Sequence, residues 1–224
     1  MKWDKAKFDE FIIDHHVIGF FLEPITLKSG RKSHWYVNWR DIAEDVYLLD
    51  QLTDFVLSYI DHIDLDPECF FGVPEGATKL GLLSQYKWAR SKTDFREGRY
   101  ILAMGRGKPK KHGELKDRKY LGVPRGNVIV IEDVTTTGGS MFSSVKDLLD
   151  ADINVIAAVG LTNRNEVRDD GMSVKELFNR IGIQYYAMSN ALELLPQLNP
   201  KPTMVKKLQT YFKKYGTKAI HFDI

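Results

Sequence analysis

The stretch Val128-Ile-Val-Ile-Glu-Asp-Val-Thr-Thr-Thr-Gly-Gly-Ser140 decides the reading of this chain. Its first four residues are all β-branched and apolar, which marks a strand. Two acids, Glu132 and Asp133, follow at the strand end. Adjacent residues of a strand project to opposite sides, so the two carboxylates need not share one job. Thr135, Thr136, Thr137, Gly138, Gly139 and Ser140 then lead into a helix. A Gly-rich turn at a helix N-terminus offers backbone N–H groups to an anion, hydroxyls add donors, and glycine lets the backbone approach closely. The acids beside it can hold sugar hydroxyls or a divalent cation that arrives with phosphate. The stretch has neither the Gly-Lys-Ser/Thr of a Walker loop nor the Gly-x-Gly-x-x-Gly of a dinucleotide site. The reading without a ligand is a strand–turn–helix with a Ser/Thr cap.

Outward from this stretch, strands and helices alternate. Residues 4–16 and 46–60 carry apolar residues at helical spacing. Between them, Pro24, Gly30 and Lys28-Ser-Gly-Arg31 suggest two short strands joined by a turn. Cys69 to Val73 reads as a short buried strand running through Pro74-Glu-Gly-Ala77 into a helix near 77–89. A strand is expected near 99–103, then a helix near 139–150, a strand at 154–161, a helix at 173–181 and a strand at 183–187. The pattern predicts an α/β fold with a mostly parallel central sheet flanked by helices. In such sheets ligands bind beyond the carboxyl ends of the strands, where Glu132 and Asp133 fall. Pro196 to Pro202 reads as a turn-rich break, and 203–215 as a basic amphipathic helix with Val205, Leu208 and Phe212 on one side.

Composition sets bounds. A chain of 224 residues can bury a sizeable core without disulfides. The single cysteine, Cys69, has no intrachain partner and reads as a packed thiol. A reducing, cytoplasmic setting is expected. A net charge of +2 argues against a molecule built for nucleic acid. No apolar stretch approaches the roughly 20 residues that span a membrane, and Met1-Lys-Trp-Asp-Lys5 lacks a signal-peptide core.

Three further segments complete the picture. Leu27-Lys-Ser-Gly-Arg-Lys-Ser33 is followed by Tyr36 and Asn38. Arg106-Gly-Lys-Pro-Lys-Lys-His-Gly-Glu114 lies in a stretch, 105–126, with eight Lys/Arg against two acids. Leu161-Thr-Asn-Arg-Asn-Glu166 follows a strand, and its arginine fork suits a carboxylate. The stretch 128–140 closely resembles the 5-phosphoribosyl-1-pyrophosphate (PRPP) motif of type I phosphoribosyltransferases. Within that superfamily the three segments resemble orotate phosphoribosyltransferase, over about residues 20–165. Where that family has Tyr-Lys in its first phosphate loop, this chain has Glu75 and Gly76. Gly107 stands at the place of a second lysine, and Asn163 at the place of an aspartate.

The resemblance implies transfer of a 5-phosphoribosyl group from PRPP to orotate, giving orotidine 5'-monophosphate and pyrophosphate. It implies one domain over residues 1–224, with an N-terminal hood of about 1–40 and a helical tail of about 196–224. Thr135, Thr136, Thr137, Gly138, Gly139 and Ser140 would cradle the 5'-phosphate, and Glu132 and Asp133 would hold the ribose hydroxyls. Lys110, His112 and Arg106 would neutralise or protonate the leaving pyrophosphate. Lys28 would touch PRPP and the base, and Arg164 the base. Mg2+ would come mainly with PRPP, with Asp133 as a candidate contact, and the family's loop acts across a homodimer. Two other readings stay open: transfer to another nucleobase, and a regulator that binds PRPP without catalysis.

Overall fold

The computed structural model describes residues 2–108, 110–112 and 118–222. Helix α1 (Lys5–Asp14), capped by the Asp4 side chain on the Lys7 amide, precedes an antiparallel hairpin of β1 (Ile18–Thr26) and β2 (Lys32–Val37). The turn between the strands closes with Leu27 N–H donating to the Arg31 carbonyl, and Gly30 takes a positive φ of 79° there. Short α2 (Arg40–Glu44) and long α3 (Val46–His62) follow, then β3 (Cys69–Gly72) and α4 (Thr78–Arg90). A two-residue ladder, β4 (Met104–Gly105) with β5 (Tyr120–Leu121), stands apart from the main sheet. The chain then runs through β6 (Val128–Thr135), α5 (Gly139–Leu149), β7 (Val155–Asn163), α6 (Val174–Asn179) and β8 (Gln184–Asn190). It continues through α7 (Ala191–Gln197) to α8 (Pro202–Tyr215).

The central sheet has four strands in the order β3-β6-β7-β8, parallel throughout. Both faces are covered, so the strand residues alternate between two apolar layers. Phe70, Ile129, Ile131, Ala157 and Val159 join the layer beneath α1, α3 and α8. Cys69, Phe71, Val128, Val130 and Ala158 join the layer beneath α5 and α6. The β6–β7 register shifts between Val128 and Ile129, which is why Val155 shares a layer with Val128 whereas Ala157 shares one with Ile129. Cys69 is fully buried, and burial pushes its thiol up to about 11, so it is a packing group, not a nucleophile.

Two expectations need correction. Residues 99–103 form no strand. The amide side chain of Gln85 fills the gap beside β3: Phe70 N–H donates to its Oε1 at 2.9 Å, and its Nε2 donates to the Ile101 carbonyl at 2.9 Å. A side chain thus takes the hydrogen bonds that a neighbouring strand would have taken. The break expected from Pro196 to Pro202 is also shorter, because α7 continues through Pro196 to Gln197. The tail is no loose appendage: Leu208, Tyr211 and Phe212 are buried, and Phe212 stacks on Trp35 of the hairpin at 6.0 Å.

Candidate active site

Parallel strands bring the ends of β3, β6 and β7 to one edge of the sheet, and the β1–β2 hairpin closes over them. The space between is a cavity of about 950 Å³. Lys28, Glu132, Asp133, Thr136, Thr137, Gly138, Gly139, Ser140 and Arg164 all line it. Residues from three separate segments therefore meet in one place.

The wall after β6 is the segment expected to cradle an anion. Gly138 sits at φ 70° just before α5, with Val174 packed where a side chain would stand. Glycine is the residue that takes this conformation without steric cost. The N-cap residue of α5, Gly138, has no capping side chain; Glu132 engages the Met141 amide, which leaves the amides of Gly139 and Ser140 for a ligand. The Thr137 carbonyl is held from behind by Arg168, whose Nη1 donates to it at 2.7 Å. Lys28, from the hairpin turn, donates to Ser140 Oγ at 3.2 Å and so ties the β1–β2 hairpin to the turn after β6. Thr135 departs from the set. Its hydroxyl pairs with the Tyr185 hydroxyl at 2.5 Å in the sheet interior, and it does not line the cavity.

The two acids face different neighbours, as adjacent strand residues should. Glu132 is buried, and burial together with Asp133 raises its carboxyl to about 8, against the pull of Lys28 and the Met141 amide. Burial also raises Asp133, while the Val134 amide, Arg40 and Lys28 pull it down. Asp133 lies against the first phosphate loop, where a Cβ on Gly76 would stand 2.5 Å from its Oδ2. The loop at Glu75 and Gly76 is thus shaped around this carboxylate.

Arg164 enters from the far side, following β7. Its Nε donates to Glu166 Oε1 at 2.7 Å, and its Nη2 donates to Ser33 Oγ at 3.1 Å and to the Tyr211 hydroxyl at 3.3 Å. Its Nη1 makes only a long contact, 3.5 Å, to the Trp35 carbonyl. That nitrogen keeps donor capacity for a ligand. Asn163, standing where an aspartate was expected, accepts the Asn165 N–H through Oδ1 at 2.8 Å, a task either side chain performs.

Arg106, Lys110 and His112 lie between β4 and β5 and do not line the cavity. The hairpin backbone continues past the ladder, with Arg106 N–H donating to the Lys119 carbonyl and Lys110 N–H to the Arg118 carbonyl. Gly113 and Glu114, the end of the basic segment, lie outside the described residues. Among the described residues no group of three or more His, Cys, Asp and Glu side chains could hold a metal ion. Glu132 and Asp133 fit Mg2+ only as a minor part of its shell, the usual arrangement when phosphate oxygens supply the rest. Arg40 and Tyr211 contribute here without any signal in the sequence. The one lies just beyond the Tyr36–Asn38 segment, and the other is 47 positions from the arginine it touches.

No family model matches the chain. An orotate phosphoribosyltransferase of Bradyrhizobium diazoefficiens is 32% identical over 182 residues, 76% of this chain and 87% of that protein. The crystal structure of orotate phosphoribosyltransferase from Francisella tularensis superposes with a TM-score of 0.69 at 24% identity, covering 94% of this chain and 100% of that one. The Mycobacterium tuberculosis orotate phosphoribosyltransferase, solved in complex with PRPP, superposes with a TM-score of 0.57 at 17% identity over 85% of this chain and 98% of that one. With the cradle, the acid pair and the arginine gathered in one cavity, the chain belongs to the orotate phosphoribosyltransferase family.

Proposed function

We propose that the protein transfers the 5-phosphoribosyl group of PRPP to a ring nitrogen of orotate, releasing pyrophosphate, in pyrimidine nucleotide biosynthesis. The observation that carries this reading is one cavity lined both by the Gly-rich turn 136–140 and by Arg164, a buried arginine whose Nη1 makes only a long contact. A phosphate and a carboxylate-bearing base then have separate seats. The local charge agrees. Arg31 and Arg164 are both buried and share the buried Glu166, while the further partner of Arg31, Asp169, is fully exposed. Two buried guanidiniums held against one buried carboxylate leave net positive charge behind the wall that Arg164 forms, which favours an anionic base there.

The roles follow from position. Thr136 to Ser140 hold the 5'-phosphate with backbone and hydroxyl donors. Asp133 and Glu132 accept from the ribose hydroxyls. Lys28, at the mouth, lies where it can neutralise phosphate charge and border the base. Thr135, whose hydroxyl pairs with Tyr185 in the core, supports the cradle from behind. Mg2+, bound chiefly through PRPP, would stabilise charge on the pyrophosphate, and Asp133 would offer it a protein oxygen. Catalysis here rests on positioning and on stabilising developing charge, not on a protein nucleophile. The β4–β5 segment borders this chain's cavity where Gly107 meets Glu75, while Arg106, Lys110 and His112 do not line it; in a homodimer these three would serve the other subunit.

Glu75 favours a second reading. A carboxylate lining the cavity opposes an anionic leaving group, as in a protein that binds PRPP without transfer. Following orotate absorbance with PRPP and Mg2+ separates the two. Loss of orotate matched by pyrophosphate release supports transfer. PRPP binding by calorimetry, with no pyrophosphate released for any base, replaces it with the second reading.

A further inference from the structure

We propose that Tyr211, on the C-terminal helix α8, is a positioning residue that fixes the Arg164 guanidinium for the base carboxylate, so that the tail is part of the base site. The inference rests on the reading of Arg164 as the base contact and goes beyond it. The hydroxyl of Tyr211 joins both ends of an ion pair: it donates to Glu166 Oε1 at 2.9 Å and accepts from Arg164 Nη2 at 3.3 Å. Arg164 Nε donates to that same Glu166 oxygen, which closes a ring of three groups. Burial, with Glu166 nearby, pushes the phenol up to about 12, so it stays a donor across the neutral range.

The surroundings leave Arg164 one orientation. Its guanidinium lies over the Trp35 ring, 3.6 Å from the centroid. Glu166 is held from its other oxygen by Arg31 Nη1 at 2.9 Å. Arg31 also sits over the ring of Tyr215, one turn further along α8. The main chain ties the tail to the same segment: Val167 N–H donates to the Tyr215 carbonyl and Thr217 N–H to the Asn165 carbonyl. A side chain so fully engaged through Nε and Nη2 is held in one place at the cavity it lines, with Nη1 its least engaged nitrogen. Without the phenol, Nη2 loses an acceptor and Glu166 a donor, and the fork is free to turn toward Glu166. The Tyr211 ring packs against Tyr215, Phe212 and Trp35, contacts that Phe keeps, so Tyr211→Phe removes the hydroxyl alone.

The test is steady-state kinetics of Tyr211→Phe and, independently, Ser33→Ala, which removes the other acceptor at Nη2. Expected is a rise of about tenfold in the KM for orotate, the scale of one hydrogen bond to a charged group, with the KM for PRPP and kcat within about twofold. Equal rises in both KM values alongside a fall in Tm would mark a merely structural role and overturn the proposal, as would no change in either variant. Arg164→Gln separates the layers. If it leaves the KM for orotate unchanged, the reading of Arg164 itself fails. If it raises that KM while Tyr211→Phe and Ser33→Ala are silent, only the positioning role fails.

Discussion

Lys28 and Ser140, 112 positions apart in sequence, meet at 3.2 Å across the mouth of the cavity. This contact joins the hairpin to the Gly-rich turn after β6 and places an exposed ammonium beside the residues proposed to hold phosphate. The pairing itself contributes little stability, because both groups are near solvent. Lys28→Ala is therefore expected to leave Tm within about 1–2 °C while lowering kcat/KM for PRPP by on the order of tenfold to a hundredfold. Pyrophosphate release under steady-state conditions, with a thermal melt alongside, checks it. Unchanged kcat/KM would remove Lys28 from the site.

Gly76 is set by the carboxylate beside it. A Cβ there would come 2.5 Å from Asp133 Oδ2 and 2.9 Å from its Cγ, so Gly76→Ala must push Asp133 or the loop aside. Asp133 Oδ1 is meanwhile fixed by the Val134 amide at 2.8 Å. Activity is expected to fall at least about tenfold, because a misplaced contact at the reacting sugar is costly. The exposed loop limits the effect on folding. Calorimetry with PRPP and Mg2+ should show weaker binding than the wild type; equal affinity and rate would contradict the role given to Asp133.

The sheet was legible because buried parallel strands leave a plain mark, as in the uninterrupted run Val128 to Ile131. The segment 99–103 misled for a related reason: Ile101 and Ala103 pack into the layer that holds Cys69 and Phe71, and a side-chain amide can stand in for a strand without leaving a periodicity. In the site, Glu132, Asp133 and the residues 136–140 were legible since one continuous segment carries them. Thr135 differed because a strand residue one position earlier points into the core, where Tyr185 takes its hydroxyl. Tyr211 left no trace, since its contact with Arg164 depends on where α8 docks, and amphipathic spacing accounts for a buried tyrosine without any partner.

Glu132 makes stability depend on pH. Its carboxyl rises from an ordinary 4.5 to about 8 in the folded protein, first through burial and then through Asp133. Below the lower value both states hold the proton and no penalty exists. As pH climbs toward 8 the unfolded chain ionises while the folded one does not, so stability is lost across that window, by a few kcal/mol at most. Glu132→Gln cannot ionise and should remove this slope. The Tm difference between variant and wild type is expected to grow in the variant's favour from about pH 5 to pH 8. A difference constant with pH would show that Glu132 titrates normally. The same variant should lose activity, since it weakens the grip on the ribose hydroxyls.

Glu75 and Gly107, the two places where the chain departs most from the family pattern around its phosphate loops, touch each other. A Cβ on Gly107 would stand 2.5 Å from Glu75 Oε1, so the hairpin lacks a side chain where the carboxylate lies. The two departures are then one change: the acid occupies the space that a lysine at 107 would need. Gly107→Lys alone is expected to disturb the hairpin and lower kcat/KM about tenfold. Glu75→Ala alone should raise affinity for pyrophosphate modestly, by removing like charge from the cavity. Together the substitutions should do better than the two separate effects combined, because the lysine then gains both room and an anion to meet. A double-mutant cycle on kcat/KM and on pyrophosphate affinity measures the coupling. Strict additivity would mean that the contact has no bearing on the site, and that Glu75 must be understood from the cavity side alone.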